Sequence, residues 1–129
     1  MTIFVLGLCV LMLALGGISL DLWRGFSDRR ALAATADAAA LAGAGALDED
    51  AYRSQGVVRL IPAEAEARAR AVIADQADPG PIAAVRVSAD EHAVTVELQG
   101  HVPLTLLRLF VSGDLALDVH AIAEPRPDP

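Results

Sequence analysis

Three histidines, five serines and a single cysteine are the side chains through which this chain could make or break bonds, and their spacing limits what they can do. Nucleophilic catalysis needs a nucleophile within hydrogen-bond reach of an oriented base. None of Ser19, Ser27, Ser54, Ser88 and Ser112 stands in a nucleophile-elbow setting. His92, His101 and His120 form no i, i+4 pair, and no cysteine lies near them to complete a zinc set. His101 and His120 could approach one another across a sheet with Glu97 or Asp118 beside them; the alternative is histidines on a solvated face. Asp90-Glu91 is far short of the roughly six to eight oxygens that calcium takes. No glycine-rich phosphate loop is present. We expect no catalytic residue, no metal, no cofactor and no small-molecule substrate.

The elements around these residues read as a small α+β domain. Ala84–Ser88 and Ala93–Val102 alternate with period two, Val85 and Val87 on one face of the first run and Val94, Val96 and Leu98 on one face of the second. Ala89–His92 fits the turn between them. Leu115–Ala123 is a final strand with Leu115, Leu117, Val119 and Ala121 on a common side, and the proline-rich tail Glu124–Pro129 follows. Ala63–Ala77 reads as a helix, with Glu64–Arg68 and Glu66–Arg70 at i, i+4 as a solvated flank, ended by Asp78-Pro79-Gly80-Pro81. Pro103 suits a helix start, with Leu104–Phe110 behind it. Val57–Ile61 could be a short strand stopped by Pro62. With it the order is β-α-β-β-α-β, as in ferredoxin-like folds; without it a three-stranded sheet remains.

Upstream, no charge occurs before Asp21, and a helix needs about 20 apolar residues to cross about 30 Å of hydrocarbon. Nothing basic precedes Ile3, the run is longer than a signal-peptide core, and Ile18-Ser19-Leu20-Asp21 offers no cleavage site, so an uncleaved anchor is expected. Trp23 and Arg24 suit the headgroup level, while Asp21 is either solvated there or paired with a neighbouring subunit. Cys9 lies inside the run, which excludes a disulfide within one chain and makes it a small apolar filler. The mean hydropathy of +0.45 comes from this run and from alanine. From Ala31 onward fifteen acidic residues face seven arginines, and there is no lysine. Such a surface repels phosphate backbones, so nucleic acid is excluded as a partner.

Between anchor and domain, Arg29–Leu47 has alanine at ten of nineteen positions and no proline, so the membrane helix should run on into it. Leu47-Asp48-Glu49-Asp50 would close it, and Tyr52–Gly56 reads as a connection. Ala36, Ala40 and Ala44, with Ala39 and Gly43 beside them, place small residues four apart, which admits close approach of another backbone. That backbone is either the chain's own domain or another subunit. Asp37 marks the solvent side or an intersubunit charge.

The apolar run, Asp21-Leu22-x-Arg24, Arg29-Arg30 and the string Ala36-Asp37-Ala38-Ala39-Ala40-Leu41-Ala42-Gly43-Ala44 resemble the TadE/TadG-like proteins of the tight-adherence (Flp) pilus assembly system. The resemblance covers about the first 47 residues. It implies a plasma-membrane protein with a single pass, a cytoplasmic N-terminal end and the rest of the chain outside, whereas Arg24, Arg29 and Arg30 taken by charge alone vote for the opposite side. It also implies as partners the lipid bilayer and other pilus or secretion subunits, or further copies through the N-terminal helix. Prepilin-peptidase substrates carry glycine followed five residues later by glutamate; here Gly7 is followed by Met12. The Asp-x-Ser-x-Ser string of longer relatives with a metal-binding adhesion domain is absent.

The expected architecture is therefore α+β and pilin-like. Residues 1–23 form a transmembrane anchor and 24–47 an Ala-rich helix. Residues 48–123 form a small extracytoplasmic domain with an antiparallel or mixed sheet and two helices, and 124–129 a flexible tail. The expected role is a non-catalytic component of Flp pilus assembly or a related secretion system, a minor pilin-like subunit or assembly factor. The alternative is a tethered extracytoplasmic binding domain unrelated to pili. Asp21, Trp23, Arg24, Ala36, Asp37, Ala40 and Gly43 are the candidate membrane and interface residues.

Overall fold

The computed structural model describes residues 1–76, 82–105, 108 and 113–126. The uncharged run and the alanine-rich stretch form one helix, α1 (Thr2–Ala44), 43 residues without a break. At 1.5 Å per residue it is about 65 Å long, far beyond what one small domain can cover.

Ala46–Asp48 leave α1 and lie beside 59–61: the Asp48 amide donates to the Arg59 carbonyl and the Ile61 amide to the Ala46 carbonyl, each at 2.9 Å, around a Leu47–Leu60 bridge. Between them stands α2 (Glu49–Gln55), where the sequence reading had a connection. Its start is fixed by Asp48, whose carboxylate accepts the Ala51 N–H at 3.0 Å and the Arg59 guanidinium at 2.9 Å. Its end is fixed by Gly56 in the left-handed conformation, φ 68°, which costs glycine no Cβ clash.

Val57–Ile61 does not join the sheet, so the β-α-β-β-α-β order is not formed. Its backbone bonds go to Ala46, Asp48 and, from the Leu60 amide, to the Glu91 carbonyl, while the Leu60 side chain fills the core. Pro62 stops no strand; it is the first residue of α3 (Pro62–Ala74), where its missing N–H costs nothing. Three strands follow: β1 (Ile82–Ala89), β2 (Val94–Val102) and β3 (Leu115–Ala123), antiparallel in the order β1-β2-β3. The expected helix over Leu104–Phe110 and the stop at 78–81 fall largely outside the described residues.

Alternation decides the faces. Val94, Val96, Leu98 and Val102 of β2 are buried, as are Val87, Leu117 and Ala121 from the neighbouring strands. Against them pack Leu32, Ala36, Ala39 and Ala40 of α1 and Ala65 and Ala69 of α3. The opposite face is polar, with Arg86, Gln99, His101, Asp118 and His120 exposed and Glu97 half-buried. The protein is α+β: a long apolar helix at the N-terminal end, then shorter helices and a three-stranded antiparallel sheet.

Charges on α3 tie it to its surroundings rather than standing as a free flank. Arg68 donates to the Gly45 carbonyl at 2.9 Å and Arg70 to the Val87 carbonyl at 3.3 Å, while Glu66 accepts the Ala89 N–H at 3.3 Å. Helix α3 is thereby linked both to the end of α1 and to β1.

Candidate membrane and subunit interface

Helix α1 changes surroundings at one residue. Ile3 to Leu20 is exposed or at most half-buried, with Ile3, Phe4, Leu6, Met12 and Leu13 each more than 60% exposed. From Asp21 the buried positions are 21, 25, 32, 35, 36, 39, 40, 43 and 44, a stripe at helical spacing that faces the sheet and α3. By length and composition α1 can cross a membrane. Its uncovered part, residues 2–20, spans about 28 Å, close to the roughly 30 Å of a hydrocarbon core.

Asp21 sits at the boundary and is 4% exposed, so it is not solvated. Its Oδ2 accepts the Thr105 N–H at 3.1 Å, and Arg24 Nη1 lies 3.5 Å from the Thr105 hydroxyl. One turn on, Gly25 packs against Leu115: an added Cβ would stand 3.4 Å from Leu115 Cδ2. The residues that end the apolar run thus dock Thr105, just after β2, and Leu115, at the start of β3. Sequence reasoning placed Asp21 at the boundary but missed this role, because the partner lies 84 positions away. Trp23 is 67% exposed.

The small-residue stripe is filled from within the chain. Ala36 and Ala40 are fully covered, and a Cβ on Gly43 would lie 2.9 Å from the Ala65 carbonyl oxygen and 3.0 Å from Val94 Cγ1. Close approach was the right physical expectation, and the backbone that approaches is the chain's own α3 and β2. Ala36, Ala40 and Gly43 leave no surface for a partner subunit in this state. Asp37 is exposed, as is Leu41 at 71%, and these define the outer side of the helix.

The histidines do not converge. Antiparallel register sets His120 opposite Glu97, with Nδ1 3.8 Å from Oε1, and His101 opposite Ala116. Arg86 completes a surface row with Glu97 at 2.9 Å. Among the described residues no group of three or more His, Cys, Asp or Glu could hold a metal ion. Asp48 and Asp90 have pKa values below the ordinary carboxylate value. Asp48 is lowered by the Ala51 N–H and then by Arg59. Asp90 is lowered by the N–H groups of His92 and Ala93, which it accepts at 2.7 and 2.8 Å in the β1–β2 turn.

The geometry is therefore that of a largely exposed apolar helix running directly into a folded domain, and the match to a known family falls on the same stretch. Residues 1–46 match the family model Tad, "Putative Flp pilus-assembly TadE/G-like". The match ends two residues after α1 does and takes in both the uncovered half of the helix and the half buried in the domain. No curated protein and no solved structure matches the chain.

Proposed function

We propose that this protein is a non-catalytic, single-pass membrane component of Flp pilus assembly, acting as a minor pilin-like subunit or an assembly factor. In this reading residues 1–23 anchor it in the plasma membrane with the N-terminal end cytoplasmic. The folded part, to which 24–44 contribute the central helix, stands outside. The observation that carries the reading is the Tad match over 1–46, on a helix whose first half is apolar and largely exposed among the described residues. Ala36 and Ala40 are buried within the chain, so in this reading partners are met through residues 2–20 and through the outer side of α1 at Asp37 and Leu41.

The test is photo-crosslinking in the native cell from probes at Asp37 and Leu41. Capture of pilus or secretion subunits is the expected result. Capture of unrelated membrane proteins alone, with normal pili in cells lacking this protein, would overturn the reading in favour of a tethered domain with no assembly role.

A further inference from the structure

Whether the domain swings on its anchor or is held against the bilayer depends on how many residues separate the two, and here there are none. Leu20 ends the uncovered stretch, Asp21 is buried, and α1 has neither proline nor a break between them. The Asp21–Thr105 bond and the Gly25–Leu115 contact put Thr105, just after β2, and Leu115, at the start of β3, level with residues 21–25 of the helix. Four residues of helix rise about 6 Å, and one headgroup layer is about 5–7 Å thick. A helix that leaves hydrocarbon at Leu20 therefore carries this edge of the domain into that layer.

Resting on the membrane reading above, we propose that this edge, formed by Leu104, Thr105 and Leu115 with Trp23 and Arg24, is a lipid-binding surface seated in the headgroup layer. Its chemistry fits. Leu115 is 43% exposed and Trp23 67%, and Arg24, an exposed guanidinium, reaches Thr105, so apolar groups and a phosphate donor share one level. Charge orients the domain the same way. The acidic groups Asp48, Glu49, Asp50, Asp90 and Glu91 gather at the other end, where Gly43 meets Val94 and Leu60 bonds Glu91. Gly43 lies about 33 Å up the helix from Asp21, beyond the reach of lipid phosphates. Asp114, exposed next to Leu115, and Asp118, exposed and lining the same hollow as Leu104 and Leu115, oppose anionic lipid locally, so the apolar groups and Arg24 must carry the seating.

Trp23 is the single tryptophan of the chain, which makes the test direct. The full chain is reconstituted in phosphatidylcholine vesicles with and without lipids brominated near the headgroup, and emission is compared. In a Trp23→Phe background, Leu115→Trp and Leu104→Trp should each lose the same fraction of emission as Trp23 does in the parent. Tyr52→Trp, in α2 at the far end, should lose none. If Trp23 is quenched while both the Leu115→Trp and Leu104→Trp variants behave like Tyr52→Trp, the seating is refuted and the anchor stands. If Trp23 itself is unquenched, the anchor fails and the seating with it.

Discussion

The two halves of α1 share one backbone and one apolar character, yet they are built from different side chains. Residues 2–20 carry Ile, Phe, Leu, Val and Met, exposed except for half-buried Ile18, whereas the buried positions from 32 to 44 are alanine and glycine apart from Leu32 and Thr35. Large side chains suit a surface whose neighbours are fluid and can mould to them. Small ones suit a surface where a carbonyl or a strand must come within van der Waals distance, as Ala65 and Val94 do at Gly43. Apolar content is common to both halves, so side-chain volume is what separates a lipid-facing surface from a protein-facing one.

That contrast can be broken most forcefully by one substitution made on both sides. Leu32→Ala, at a position 2% exposed, should destabilise the domain by about 3 kcal/mol through lost burial and the cavity left behind. Chemical unfolding in detergent micelles measures it. Ala40→Leu should cost about 2 kcal/mol by overpacking against the sheet, read the same way. If Ala40→Leu is as stable as the parent, the close packing described for the covered half is refuted.

Acid should reveal a weaker bond network away from the helix. Asp48 and Asp90 bind protons less readily folded than unfolded, because backbone N–H groups hold their ionised forms. Their contribution is therefore complete above the usual carboxylate pKa of 3.8 and is lost as pH falls below it through the lower folded values. Asp48→Asn keeps a capping side chain while removing the charge, and should flatten that part of the acid unfolding curve. The smallest effect closes the comparison: Leu11→Ala, in the uncovered half, should change domain stability by less than about 0.5 kcal/mol. A loss as large as that from Leu32→Ala would show that the two halves are not distinct.

Much of this was legible in the sequence because the relevant physics is local. Period-two alternation gave β2 and β3 nearly to the residue, and freedom from proline gave α1 its continuity. Helix α2 carries its signals locally, since Asp48, Glu49, Asp50, Arg53 and Gly56 are the start and stop signals of a short helix, yet the same run also reads as a charged end followed by a connection. What could not be read was the identity of partners across long separations. Small residues on α1 announce a close neighbour without saying that it is Ala65 and Val94. Asp21 announces a boundary without saying that the Thr105 amide waits there. A strand-like string such as Val57–Ile61 was diverted because its backbone groups found Ala46, Asp48 and Glu91 first.

The buried carboxylate of Asp21 has a practical corollary for anyone wishing to prepare this protein without detergent. A chain shortened to begin at Asp21 sheds the greasy segment and keeps every residue of α1 that the core uses, whereas one begun after the Trp23-Arg24 pair discards the acceptor that holds residue 105. The two truncations differ by a handful of residues, and only the longer retains a closed lower edge.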